Sequence, residues 1–253
     1  MNTPALKVYW KTGCSSCVKV KEFLAQLGVE YESINVSAAP EAMQDLAAMG
    51  VRTVPVVVRG KDYVFAQALE DVSQFIGRDV LIERLPPQVL IDKWLTVLAA
   101  AQRHVVQLPA ARLHERAIEG RDRSIRELAY HVYQIAEAFL AVLEQGVEDW
   151  TSVANSPPPP GIQSAEEIRR YGRGITERLE TWWAGLEDKS CQWPVRLYYG
   201  THPLHQFLER CTWHSAQHAR QIIALLERFG VEPDGPLTGG DYAGLPMPSG
   251  LWE

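Results

Sequence analysis

The 253-residue chain is predicted to fold as an α/β domain followed by an all-α domain, the second a four-helix bundle. Three observations predict this. Strand-like and helix-like stretches alternate up to about residue 80, the pair Pro86-Pro87 interrupts that pattern, and beyond it the apolar residues recur at helical spacing. The length also exceeds that of a typical single domain. The expected division is an α/β domain over 1–82, a linker over 83–88, a bundle over 89–234 and a Gly/Pro-rich tail over 235–253.

In chain order, Leu6 to Trp10 is a short apolar strand, and Ser15 to Leu27 carries Val18, Val20, Phe23, Leu24 and Leu27 at helical intervals before Gly28. Tyr31 to Val36 reads as a second strand and Pro40 to Met49 as a helix stopped by Gly50. Val54 to Arg59 and Tyr63 to Phe65 form a hairpin turning at Gly60-Lys61-Asp62, and a last helix spans about Ala68 to Ile76. The order is βαβαββα, with parallel pairing across the first crossover. In the second half, a helix from about Val89 to Leu108 places Trp94, Leu95, Leu98, Ala101 and Val105 on one stripe. Ser124 with Glu127, and Ser164 with Glu167, are capping-box pairs that open two more helices, reaching about Leu143 and Leu186. Between them, Ser156-Pro157-Pro158-Pro159-Pro160-Gly161 is a stiff surface connector. Pro203 opens a fourth helix that reaches Phe229.

Composition excludes several classes. A formal charge of -6, with basic residues dispersed along the chain, leaves no electrostatic footprint for nucleic acid. No apolar run approaches the roughly 20 residues that span a bilayer, and the first ten residues lack signal-peptide character, so the expected location is the cytoplasm. Four cysteines cannot form a disulfide framework in so long a chain; Cys14 and Cys17 are therefore read as catalytic or metal-binding.

Cys14 lies at a helix start, where unpaired N–H groups and the helix dipole stabilise a thiolate, and Lys11 adds positive charge beside it. Cys17 is one turn on, placed to attack a mixed disulfide formed on Cys14. A Cys-x-x-Cys could be half of a zinc site, but no second pair is present, which favours redox chemistry. Thr53-Val54-Pro55 precedes a strand, where Pro55 is expected in the cis form with the Val54 backbone facing the thiols. From Val8-Tyr9-Trp10-Lys11 through the cysteine pair to Thr53-Val54-Pro55, residues 1 to about 80 resemble a glutaredoxin, a thioredoxin-like fold. The resemblance implies that Cys14 is the nucleophile, Cys17 the resolving thiol, and Lys11, Thr53, Val54 and Pro55 the contacts of glutathione or a related low-molecular-weight thiol. Two departures stand out: Ser15-Ser16 replaces the family's Pro-Tyr, and Ala66-Gln67-Ala68-Leu69-Glu70-Asp71 replaces its Gly-rich turn. Asp71 is the candidate for a retained polar contact.

His214 and His218, four residues apart, share one helix face beside the apolar stripe of Leu204, Phe207, Leu208, Cys211, Ile222, Leu225 and Phe229. His131 holds a comparable inward position between Leu128 and Ile135. Any one of them alone could be an ordinary core histidine; three converging from two helices, with a position left open, is the pattern of a catalytic metal site. Cys211 is expected to be a buried thiol rather than a fourth ligand, Cys191 has no assigned role, and His104, His114, His202 and His205 are expected at the surface or in turns. Residues from about 88 to 230 resemble the DinB-like four-helix metalloproteins, which include bacterial thiol transferases and thiol-dependent isomerases. The likeness rests on Ser124-Ile125-Arg126-Glu127-Leu128-Ala129-Tyr130-His131 and His214-Ser215-Ala216-Gln217-His218. It implies His131, His214 and His218 as ligands of a divalent metal, with zinc or nickel favoured by affinity order.

Together these readings predict a two-domain protein of thiol chemistry: a thiol-disulfide oxidoreductase joined to a metal-dependent thiol transferase. Its expected partners are a small thiol and an electrophilic or disulfide substrate, with homodimerisation left open. Alternatives are a metal-dependent hydrolase or isomerase with an attached reductant, a redox domain carried by a non-catalytic interaction module, and metal or metalloid detoxification.

Overall fold

The computed structural model of the chain describes residues 4–252 and divides them into two compact units, one of residues 4–83 with 248–252 and one of residues 84–247. The first has the predicted βαβαββα order: β1 (Leu6–Trp10), α1 (Ser15–Gln26), β2 (Glu32–Asn35), α2 (Pro40–Ala48), β3 (Val56–Arg59), β4 (Asp62–Phe65) and α3 (Leu69–Phe75). Its sheet runs β2-β1-β3-β4, with β1 parallel to β2 and antiparallel to β3. The two-residue period of a strand explains the two cores. Leu6, Val8 and Val57 join Val20, Leu24 and Val72 in one cluster, while Tyr9, Val56 and Val58 join Leu46 and Val51 in the other. The arrangement is thioredoxin-like. The segment from Pro248 returns to this unit, and the backbone N–H groups of Ser249 and Gly250 donate to the Glu22 carboxylate on α1 at 2.8 and 2.9 Å.

The second unit is built on four long helices: α4 (Pro87–Gln107), α5 (Ile125–Gln145), α7 (Ala165–Gly185) and α8 (Leu204–Arg228), with a short α6 (Thr151–Ala154) between α5 and α7. Both predicted capping boxes are present, the Ser124 and Ser164 hydroxyls accepting from the N–H groups of Glu127 and Glu167; each such cap contributes roughly 1 kcal/mol. Helix α4 starts at Pro87 rather than Val89, because a proline in the first turn lacks only an N–H that the helix leaves unpaired anyway. A hairpin of β5 (Pro194–Leu197) and β6 (Gly200–Pro203) precedes α8, an element absent from the sequence expectation. The Gly/Pro-rich tail contains a further short helix, α9 (Gly239–Tyr242), opened by a capping box between Thr238 and Asp241. The core is large and aromatic: Trp94, Phe139 and Phe207 are fully buried, with Trp94 edge-on to Phe139 and Phe139 stacked on Phe207. No helix among the described residues is long and apolar enough to cross a membrane.

Candidate active site and metal centre

In the first unit, the loop after β1 turns at Gly13, whose φ of 68° lies in the left-handed region. The Asn35 amide fixes the same loop by donating to the Thr12 hydroxyl at 3.2 Å. Cys14 is the N-cap residue of α1, in extended conformation, and no acidic residue occupies the first turn of the helix. Its partner Cys17 follows one turn later; the two sulfurs form a disulfide with Cα atoms 5.2 Å apart. Accessibility distinguishes them. Cys14 is partly exposed while Cys17 is wholly buried, so an incoming thiol or disulfide reaches Cys14 first. The Val54-Pro55 bond is cis as expected, and Cys14, Cys17 and Val54 pack into one cluster. Pro55 leads into β3, with its carbonyl accepting from Ala66 N–H at 3.0 Å. Lys11 and Thr53 are partly buried in the flanking loops, and Asp71 lies beside Glu70 in the first turn of α3.

In the second unit, His131 on α5 and His214 and His218 on α8 come together, one nitrogen from each lying within 4.8 Å of the others. Ring centroids are 4.8 Å apart for His131 and His218, 4.8 Å for His214 and His218, and 5.6 Å for His131 and His214. Ser215 sets the register of the helices at this point. It accepts from Trp94 Nε1 of α4 at 2.9 Å and donates to the Val132 carbonyl of α5 at 3.0 Å, tying the residues next to His214 and His131. Trp213 stacks on the His214 ring.

Hydrogen bonds decide where each ring carries its proton. Gln134 donates its amide to the carbonyls of Val153 and Ser156 at 2.7 and 2.8 Å, which turns its own oxygen toward His131 Nδ1, 3.4 Å away. Gln221 places its oxygen 2.6 Å from His218 Nδ1. An amide oxygen only accepts, so both rings are held as Nδ1–H tautomers with a lone pair on Nε2. The His218 Nε2 atom is buried and has no hydrogen-bond partner among the described residues. That orphaned lone pair, beside two other imidazoles, fits a metal ion. The third ring differs: Arg210, which only donates, lies with Nη1 3.1 Å from His214 Nδ1 and so occupies the one lone pair of that neutral ring, a contact His214 must exchange before it can ligate an ion.

Burial above all, and then neighbouring positive charge, holds all three imidazoles well below the usual histidine range; the charges are mainly those of Arg123 on His131 and His218, and of Arg210 on His214. They are neutral at pH 7, as ligands must be. Cys211, three residues before His214, lies outside the histidine cluster and is fully buried, its thiol pushed up to about 12 by burial; it is a packed thiol. Cys191 is likewise buried, its thiol pushed up to about 11.

Two expectations are corrected. His104 is not a surface residue: it is fully buried on α4 and donates from Nε2 to the Asp234 carbonyl at 3.1 Å. His202, on β6, is also buried. Trp182 lines a cleft of about 320 Å³ with Glu144, Gly174, Glu177, Arg178 and Thr181, which contains none of the candidate site residues. Sequence reasoning missed Gln134 and Gln221, although the spacing His-x-x-Gln occurs after both His131 and His218.

Comparison with known proteins matches each unit separately. The glutaredoxin family model matches residues 6–64, and the model of the DinB superfamily matches residues 94–222. Among curated proteins, the glutaredoxin-like protein NrdH of Escherichia coli strain K12 is 36% identical over 82 residues, which are 32% of this chain and 89% of that protein. NrdH of Lactococcus lactis subsp. lactis is 32% identical over 59 residues, 23% of this chain and 81% of that protein. Glutaredoxin-C2 of Arabidopsis thaliana is 32% identical over 68 residues, 25% of this chain and 61% of that protein. No solved structure matches significantly.

Proposed function

The chain belongs to the DinB superfamily through its bundle and to the glutaredoxin-like proteins through its first unit, and from that premise we propose that it couples a thiol-disulfide oxidoreductase to a metal-dependent thiol transferase. The observation that carries the second half is the buried, unpartnered Nε2 of His218 within a triad of neutral imidazoles.

In the first unit the chemistry runs through sulfur alone. The Cys14 thiolate attacks a substrate disulfide R–S–S–R′, forming a Cys14–S–S–R bond and expelling R′S⁻, which takes up a proton. The Cys17 thiolate then attacks the Cys14 sulfur, closing the Cys14–Cys17 disulfide and releasing RS⁻. Two molecules of an external thiol, leaving as their disulfide, or one dithiol must return two electrons before the next cycle. Val54 packs with the cysteine pair, and its backbone polar groups would align a peptide-like thiol there. Glutathione or a related small thiol is the proposed partner, with Asp71 the candidate polar contact for it.

In the bundle, His131, His214 and His218 would hold a divalent ion, zinc or nickel, whose charge lowers the pKa of a bound thiol toward neutrality. Gln134 and Gln221 keep His131 and His218 in the tautomer that presents Nε2. Burial keeps all three rings neutral, so they leave an ion's charge undiminished.

Elemental analysis of the purified full chain tests the reading. About one divalent ion per chain is expected, lost in His214→Ala together with thiol-dependent consumption of an alkylating electrophile, while disulfide reduction persists. Metal content that is unchanged in His214→Ala refutes the metal half. Transfer activity that does not depend on a small thiol refutes the transferase half.

A further inference from the structure

His214 is held differently from the other two rings of the triad. Gln134 and Gln221 turn oxygens toward His131 and His218, which leaves a lone pair on each Nε2, whereas His214 faces a donor, with Arg210 Nη1 3.1 Å from its Nδ1. A guanidinium carries N–H groups and no acceptor. The contact therefore uses the single lone pair of the neutral His214 ring, at Nδ1, and places that ring's own hydrogen on Nε2. Two of the imidazoles are prepared as ligands, and the third already serves as an acceptor within the protein.

Ligation through either nitrogen of His214 breaks this contact. Through Nδ1, it needs the lone pair that Nη1 now holds. Through Nε2, the hydrogen must move to Nδ1, and two N–H groups would then face each other across the same 3.1 Å. In both cases the guanidinium has to leave. Its surroundings give it somewhere to go. Arg210 lies one turn before His214 on α8, is buried, and sits 4.1 Å from the centre of the fully buried Trp150 ring. The attraction between a cation and an indole face is set by the ring as a whole and persists as the cation slides across it. Trp150 is also the N-cap residue of α6, whose Val153 carbonyl, with that of Ser156, turns Gln134 toward His131. One short segment thus supports His214 through Trp150 and Arg210, and His131 through Gln134.

We propose that Arg210 is the gate of the His131, His214 and His218 centre: its guanidinium holds the His214 lone pair in the metal-free chain and withdraws across the Trp150 face when an ion is taken up. This rests on the metal-site reading above and adds to it a residue that opposes binding. The gate keeps His214 hydrogen-bonded when no ion is bound. It also makes the affinity of the centre a difference between two partners of one nitrogen, so that the contact with Arg210 sets how tightly an ion is held.

The test uses the full chain, isotope-labelled at the histidine and arginine nitrogens, freed of metal with a chelator and then titrated with zinc. Before zinc, long-range proton–nitrogen NMR spectra should show the His214 ring, identified by its loss in His214→Ala, with its hydrogen on Nε2, and the other two rings with theirs on Nδ1. Saturation with zinc should shift the Arg210 guanidinium signals, identified by their loss in Arg210→Met or Arg210→Lys. Arg210→Met keeps an unbranched side chain without a donor and should bind zinc about tenfold more tightly or better, as expected when a hydrogen bond from a charged donor no longer competes. Relief of charge alone would also tighten that variant, but it would leave the Arg210 signals of the unaltered chain unmoved. A hydrogen on His214 Nδ1 before zinc, Arg210 signals that zinc does not shift, or a folded Arg210→Met that binds no more tightly each overturn the proposal. The spectra of the unaltered chain decide the matter even where Arg210→Met does not fold. A chain that binds no zinc refutes the metal reading and this proposal together; zinc uptake with unmoved Arg210 signals refutes this proposal alone.

Discussion

Replacing Gln221 with Leu removes the oxygen that accepts the His218 Nδ1 proton at 2.6 Å and leaves α8 with an equally good helix former. The His218 ring then has two courses. If the proton stays on Nδ1, a buried donor goes unsatisfied at a cost of ~1–3 kcal/mol. If it moves to Nε2, no lone pair faces the triad, and ion binding must first reverse the shift. Both courses weaken binding without removing a ligand. A cost of ~1–3 kcal/mol corresponds to an affinity loss of about 5- to 150-fold, which spans the ~10- to 100-fold typical of losing a group that orients a metal ligand. The assay is zinc competition against a chromophoric chelator, run on the full chain, on Gln221→Leu and on Gln221→Glu. The glutamate variant restores an acceptor and should recover most of the affinity. Undiminished zinc binding in Gln221→Leu would refute the argument that this hydrogen bond sets the tautomer.

Three further outcomes follow from the geometry. Cys17→Ser should accumulate a mixed disulfide between Cys14 and a small thiol, visible as an added mass on the intact protein, whereas Cys14→Ser should accumulate none; equal adducts in both would contradict the accessibility difference between the two sulfurs. Gly172→Ala brings a Cβ to 2.6 Å from the ring of fully buried Tyr133, so overpacking of ~1–3 kcal/mol should outweigh the ~1 kcal/mol gained in helix propensity; thermal unfolding should move down, and an unchanged or higher midpoint contradicts the packing. Burial lowers the pKa of His104, so its folded value lies below the unfolded value near 6.5. Its contribution to stability is therefore complete above that pH and is lost as the pH falls below it. Urea midpoints of the metal-free chain should fall less steeply below pH 6.5 in His104→Gln than in the parent, and identical slopes would exclude His104 as a contributor.

What could be read from the sequence was what local rules govern. The pairs Ser124/Glu127 and Ser164/Glu167 announced two helix starts because the capping box is a four-residue motif with its own hydrogen bonds. His214 and His218 were legible because a spacing of four puts two rings on one helix face. The hairpin of β5 and β6 escaped because each strand has only four residues, although Val195 and Leu197 alternate with exposed neighbours and Gly200 adopts a φ of 138°. His104 was misplaced because it has no histidine four residues away, yet it shares the inner face of α4 with Ala101 and Val105. Gln134 and Gln221 look like any helical glutamine until the carbonyls of Val153 and Ser156, or a histidine ring, are seen to orient them.

The grip of Glu22 on the backbone of Ser249 and Gly250 has a consequence for biosynthesis. The amino-terminal domain is not self-contained in sequence: part of its surface is supplied by a stretch translated only after the entire bundle. A nascent chain halted at Glu83 would leave that carboxylate facing water, so full protection of α1 from hydrogen exchange should arrive late in synthesis.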